Sequence, residues 1–227
     1  MTWRCFVLAL VLPLAALYLS AARTAAPLPS ASADKTVPTQ TLSFQQGVNG
    51  YQGTIDVEIW ELAPHTCLEA NPNVTVDADN DGGESQTLIR FEEIIGNSTG
   101  QIPPGATIHS AKLIVSAFDP GNTVHLHRML VPWKRTITWN SLIAGVTADG
   151  LEASRQKDSF TFGRISASSS EIVFEVTDTV QAWAKGEKNY GWVFINTGPN
   201  GWDFYSSEYE QVAERPRLVV TYSLPRR

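Results

Sequence analysis

The sequence predicts an all-β protein: an antiparallel β-sandwich of jelly-roll-like form with one short helix. Two observations support this fold class. Apolar and polar side chains alternate in short runs along the chain, which is the pattern of strands with one dry and one wet face. Pro, Gly and Asn residues that favour turns separate the runs, so about ten strands are expected, in two stacked sheets or a barrel, of which we favour the sandwich.

The strand pattern occurs in ten runs. In chain order they cover residues 41–46, 54–60, 74–77, 87–92, 112–117, 122–131, 171–176, 191–196, 202–206 and 217–222. In the second run, apolar Val57 and Ile59 alternate with polar neighbours. We therefore expect the other face of that strand, with Asp56 and Glu58, to meet water. The polar, Ser-rich segment 151–170 predicts a long loop or a weak hairpin.

One segment departs from the strand pattern. Val180 and Trp183 lie three residues apart, on one helical face, and Gly186 supplies a C-terminal stop. Asp178 can cap the N-terminus, with Gln181 three residues further on as the second half of a capping box. The segment predicts a helix of about two turns that closes one end of the sandwich through Trp183.

Residues 1–26 predict a secretory signal peptide. A start that contains Arg4 precedes an apolar run at 5–19, and small residues follow. The run is shorter than the roughly 20 residues of a membrane span, so cleavage after Ala22 or Ala26 is expected, with an uncleaved anchor as the alternative. Residues 27–40 are rich in Ala, Pro, Ser and Thr and predict a flexible linker, which leaves 41–223 as the folded domain of a secreted, extracellular protein.

Composition narrows the choice of partners. The chain of 227 residues has a formal net charge of −6, which becomes −8 without the leader because the leader contains two arginines and no acid. An acidic domain repels phosphate backbones, so we expect no nucleic acid partner. No second apolar stretch is long enough to span a membrane, so we expect no membrane span after leader cleavage. Cys67 is then the sole cysteine, which excludes a disulfide framework.

An acidic stretch predicts a metal site. Asp77, Asp79 and Asp81 occupy alternate positions and are followed by Glu84. Alternate carboxylates in a turn can converge on one point, and such hard oxygen ligands suit calcium. The stretch is not an EF-hand, because Leu88 stands at the twelfth position in place of a bidentate Glu. We predict calcium in a structural role, with a solvated acidic turn as the alternative.

Sugar binding requires flat apolar rings together with polar groups for the hydroxyls. We expect Trp133, Trp202 and Tyr205 to present rings, and Asp203 to bond a sugar hydroxyl. The alternative for each tryptophan is packing in the core, because tryptophan is highly buried on average.

Arg90 lies in an otherwise apolar run. A buried guanidinium requires a carboxylate, and Glu208 is the predicted partner, in a structural pair. The sequence contains no Gly-x-Ser-x-Gly elbow, His-Glu-x-x-His motif or phosphate-binding glycine loop. We therefore assign no catalytic residue and expect no enzyme.

Five segments occur in the order found in a known family. They are LIRF at 88–91, IPPGATI with SAKL at 102–113, TITWN at 136–140, VTDTVQAW at 176–183 and RPRLVVTY at 215–222. The series resembles the DNRLRE domain family, also described as disaggregatase-related and grouped with carbohydrate-binding modules. The resemblance covers 41–222 and implies a secreted β-sandwich module, some members of which bind polysaccharides such as alginate.

These observations predict a non-catalytic, carbohydrate-binding-module-like domain that binds an extracellular or cell-wall polysaccharide. One alternative is a structural or adhesive protein whose partner is an extracellular matrix or envelope component. Another is a polysaccharide hydrolase or lyase with an unrecognised site, because such sites assemble only in space. Ring-stacking aromatics in one groove favour the first, an exposed sheet edge the second, and two close carboxylates in a cleft the third.

Overall fold

A computed structural model of the protein describes residues 37–119, 121–161 and 170–225, which belong to one structural unit. The predicted signal peptide and residues 27–36 of the predicted linker lie outside this part. The strands are β1 Thr39–Gln45, β2 Thr54–Trp60, β3 Asn73–Asn80, β4 Gly83–Phe91, β5 Thr107–Ala117, β6 Val124–Met129, β7 Ala153–Phe160, β8 Ser170–Glu175, β9 Trp192–Asn196, β10 Trp202–Tyr205 and β11 Arg217–Ser223. Helix α1 covers Thr177–Ala184, and short 3-10 helices cover Trp139–Leu142 and Val212–Glu214.

Each of the ten predicted runs contains a strand, and β7 adds one where a loop or weak hairpin was expected. The named strands pair only in the antiparallel sense within the described residues. One layer follows the order β1–β11–β5–β8, and the other follows β2–β4–β9–β6–β7. Strand β3 joins the layers, because it pairs with β10 at 73–76 and with β4 towards its other end. The predicted all-β class with a single short helix is confirmed.

The main core lies between the two layers. Phe174 of β8 meets Phe194 of β9 with ring centroids 5.4 Å apart, and Trp202 and Phe204 of β10 complete the aromatic centre. Burial of side chains of this size supplies most of the hydrophobic stabilisation of such a fold.

A second apolar cluster covers the outer face of the other layer. Val57 and Ile59 of β2, with Leu88 of β4, pack there against Trp133 and Trp139. Both tryptophans come from the long segment between β6 and β7, which therefore hides a sheet face that would otherwise be wet. Strands β2 and β4 are consequently buried on both faces.

The wet face predicted for β2 is wrong. Asp56 is 1% exposed and Glu58 is 7% exposed. The backbone N–H of Ser207, which follows β10, donates to Asp56, and the backbone N–H of Thr75 in β3 donates to Glu58. Polar side chains alternate correctly along β2, but residues distant in sequence cover them.

Helix α1 is present as predicted, with different N-terminal chemistry. Its N-cap is Val176, so Asp178 lies in the first turn and does not cap the helix. Gln181 does not close a capping box either. Its side-chain oxygen accepts the N–H of Ile108 in β5 at 3.0 Å, and its side-chain amide donates to the carbonyl of Ala106, which directly precedes β5. Gly186 ends the helix with φ of 103°, in a Schellman arrangement.

Trp183 of α1 is 2% exposed, and its ring centroid lies 4.7 Å from that of Trp192, so the helix closes the core as expected. Within the described residues, no helix has both the length and the apolar character needed to cross a membrane.

Candidate functional site

The acidic stretch predicted to bind calcium forms a tight hairpin between β3 and β4. Asp81 and Gly82 have φ of 56° and 94°, the values of a type I′ turn. Asp79 and Asp81 are exposed. Asp77 accepts the backbone N–H of Asp79 at 3.0 Å, and Glu84 accepts the side-chain amide of Gln86 at 2.8 Å. Oxygens of Asp77 and Glu84 are therefore partly used in hydrogen bonds within the hairpin.

Among residues 37–119, 121–161 and 170–225, no group of three or more His, Cys, Asp or Glu side chains is placed to hold a metal ion. Calcium binding by the hairpin stays a prediction for a chelator experiment.

The two tryptophans expected to present sugar-binding rings are buried, so that expectation is wrong. Trp202 is 1% exposed and stacks on Phe174 of the core at 6.5 Å. Because alternate residues of β10 face inward, Trp202 cannot share a face with Asp203 or Tyr205. Trp133 is 6% exposed, and its indole N–H donates to the carbonyl of Tyr190 at 2.7 Å.

Arg90 has a carboxylate partner, but Glu208 is not that partner. The Arg90 guanidinium donates to Glu92 at 2.6 Å and to the carbonyl of Trp133 at 3.0 Å, and it lies 4.6 Å from the Trp133 ring centroid. Glu208 pairs instead with Arg135 at 3.2 Å. Residues two apart on a strand share a face, so Glu92 is the nearer choice for Arg90.

The outward face of β10 carries Tyr205, which lies between Phe118 and Tyr209 in an aromatic row. The ring centroids of Phe118 and Tyr205 are 4.6 Å apart, and those of Tyr205 and Tyr209 are 3.9 Å apart with an interplanar angle of 16°. All three residues are partly exposed. The structure therefore brings together one predicted residue, Tyr205, and two neighbours that the sequence analysis did not select.

Backbone contacts hold the aromatic row in place. Phe118 donates its N–H to the carbonyl of Asp203 at 3.0 Å, which positions its ring beside β10. Tyr209 ends a turn in which its N–H bonds the carbonyl of Ser206 at 3.3 Å. In the same turn, Ser207 N–H donates to both oxygens of Asp56, at 3.2 Å and 3.0 Å. A buried carboxyl group in β2 thus anchors the turn that carries Tyr209.

Burial raises the pKa of Asp56 to about 7, and the nearby Glu208 charge adds to the rise. The hydrogen bonds from Ser207 act in the opposite direction, because they stabilise the carboxylate. Asp56 is 1% exposed, which makes its charged form costly in spite of those bonds.

Acidic side chains lie beside the aromatic row. Burial raises the pKa of Asp203, and the charges of Asp119 and Asp77 raise it further. Burial also raises the pKa of Glu58, with a smaller contribution from Asp203. The Thr75 N–H and the Ser85 hydroxyl occupy the Glu58 carboxylate at 3.0 Å and 3.2 Å, so Glu58 has a structural role.

The side chains of Tyr205 and Tyr209 interact with each other. A hydrogen bond between the phenol groups is the main reason that the pKa of Tyr209 is raised, followed by burial and the charges nearby, including Glu210 and Glu214. The row therefore presents aromatic rings, phenol hydroxyls and the Asp203 carboxylate within one surface region. These groups can stack on a ring and bond hydroxyls.

Two of the clefts among the described residues lie away from the row. One, of about 530 Å³, is lined by residues of the loops at 49–53, 92–93 and 98–101, including Tyr51, whose hydroxyl donates to the carbonyl of Glu92. The other, of about 470 Å³, lies beside the start of α1 and is lined by charged side chains such as Arg128, Lys157 and Asp158. Asp158 is occupied structurally, because it accepts hydrogen bonds from the Thr179 hydroxyl and the Trp192 indole.

No protein-family model matches the sequence, and no curated protein matches it. The fold and the geometry of the surface therefore carry the functional argument.

Proposed function

We propose that the protein is a secreted, non-catalytic domain that binds an extracellular or cell-wall polysaccharide through the aromatic row. One observation supports this most strongly: Phe118, Tyr205 and Tyr209 lie ring beside ring and stay partly exposed. Tryptophans are buried in the core, which shows that the core can hold large rings. Aromatic rings that stay partly exposed side by side are therefore candidates for ligand binding.

Tyr209 offers the stacking surface. Tyr205 covers one face of its ring, which leaves the opposite face for the apolar side of a sugar. The phenol hydroxyls of both tyrosines and the carboxylate of Asp203 can bond sugar hydroxyls. Because Asp56 holds the turn before Tyr209 and Tyr205 stacks on the Tyr209 ring, little conformational freedom remains to be lost on binding.

A retention assay tests the proposal. The purified protein is mixed with insoluble polysaccharides of different charge, and the bound fraction is measured. Tyr209→Ala should abolish retention, since it removes the outer ring, while the fold stays intact by circular dichroism. Phe160→Ala is the matched control, because Phe160 is an exposed aromatic on β7, outside the row. Equal retention by Tyr209→Ala and wild type would contradict the proposal, as would no retention on any polysaccharide.

A structural or adhesive role is a second proposal, favoured by strand β8. It pairs with β5 on one side, and on its other edge the N–H of Glu175 donates to the hydroxyl of Ser159 in β7 at 3.1 Å, while the rest of that edge pairs with no described strand. Val173 on this strand is 45% exposed. An open edge with an exposed apolar residue can pair with another chain. Concentration-dependent assembly in light scattering that is lost in Val173→Lys would support this role, and a monomer at all concentrations would remove it.

A further inference from the structure

Carboxylates surround the aromatic row at both ends. Asp203 shares the outward face of β10 with Tyr205, and Asp119 directly follows Phe118. Asp77 and Asp119 are close enough to Asp203 for their charges to act on it. Glu210 and Glu214 act in the same way on Tyr209.

Cations balance these charges only in part. Within the described residues, none of the carboxylates named above takes part in an ion pair. Arg215 lies near Tyr209, but its guanidinium donates to backbone carbonyls, to that of Tyr209 at 2.6 Å and to that of Gln46 at 3.2 Å. Arg135 is already paired with Glu208. Five carboxylates against the one guanidinium of Arg215 leave the surface of the row acidic on balance.

We infer that the ligand of the aromatic row is a polysaccharide with free amino groups, such as a polymer of glucosamine, and that polymers of uronic acids are rejected. This inference rests on the polysaccharide binding proposed above. An ammonium group on the sugar next to a stacked one would relieve the repulsion among the carboxylates. A uronate there would add to that repulsion and would lose its hydration without gaining a partner.

The expected preference is moderate. A partly exposed ion pair contributes up to about 1 kcal/mol, which corresponds to about fivefold in affinity, so two contacts give up to about twenty-fivefold. Salt should weaken this preference, because exposed charges are screened over about 10 Å at 0.1 M.

Two polymers with the same backbone isolate the charge: one of glucosamine with free amines, and its N-acetylated counterpart. A polyuronate is the third probe. We expect retention in the order free amine, N-acetylated, then polyuronate, with the polyuronate not retained. The double variant Asp119→Asn with Glu210→Gln, at two exposed positions, should reduce the preference for the free amine about fivefold. Glu93→Gln, which changes an exposed acid outside the row, should leave the preference unchanged.

The outcomes separate this inference from the proposed function. Equal retention on the free-amine and acetylated polymers, or retention on the polyuronate, overturns the charge inference and leaves polysaccharide binding in place. No retention on any polymer overturns both. Retention on the free-amine polymer that survives Tyr209→Ala reflects adsorption by net charge alone, and it also overturns the inference.

Discussion

Replacement of the buried Asp56 by Asn should change how the stability of the fold depends on pH. The pKa of Asp56 rises from 3.8 to about 7 on folding, chiefly through burial. The folded protein therefore holds a proton on Asp56 between these values, whereas the unfolded chain has lost it. The stabilisation from that proton is complete below pH 3.8 and is lost as the pH rises through 7.

The size of the effect follows from the shift. About three pKa units at 1.36 kcal/mol each correspond to about 4 kcal/mol. Asp56 is buried, so solvent screening does not reduce this value much. Asp56→Asn cannot titrate, and it keeps one oxygen as acceptor for Ser207 N–H. As the pH rises from 4 to 8, the free energy of unfolding of the variant minus that of wild type should increase by about 4 kcal/mol.

Urea denaturation followed by tryptophan fluorescence, in steps from pH 4 to pH 8, measures this difference. The other carboxylates of raised pKa are present in both proteins and cancel in the comparison. Asp79→Asn, at an exposed position in the hairpin, is the control and should follow wild type at every pH. A difference between Asp56→Asn and wild type that changes by less than about 1 kcal/mol over this range would refute the assignment of a raised pKa to Asp56.

Three further predictions concern the pairs, the rings and the hairpin. Glu92→Gln should lower the free energy of unfolding by about 1–2 kcal/mol, because it removes the charged partner of Arg90. Glu208→Gln should lower the free energy of unfolding by less than about 1 kcal/mol. Equal effects of the two variants in denaturation would contradict the observed pairing. Trp202→Ala should lower the free energy of unfolding by about 3–5 kcal/mol, because it opens a cavity in the core. Tyr209→Ala should lower it by less than about 1 kcal/mol. Thermal melts that rank the two variants in the opposite order would refute the placement of these two rings. If the hairpin binds calcium, the melting temperature should be higher in calcium than in EDTA, because the ion would neutralise the carboxylates and fix the turn; equal melting temperatures would contradict the predicted metal site.

Several misplaced residues could have been placed correctly from the sequence alone. Trp202 and Tyr205 are three residues apart, so in a strand they lie on opposite faces. Their rings therefore cannot belong to one surface. Arg90 and Glu92 are two apart and share a face, which makes Glu92 a better partner than the distant Glu208. In both cases the alternation of side chains along a strand, which also predicts the strands, decides which residues share a face.

The sequence by itself determined the elements: ten of the eleven described strands, the helix around Trp183 and the all-β class. These depend on alternation, turn residues and helix-stop signals that act within a few residues. The burial of Asp56 and the row of Phe118, Tyr205 and Tyr209 were decided only by the tertiary structure. Whether a strand face is covered, and which side chains meet on it, depends on segments far apart along the chain, and local periodicity contains no record of that pairing.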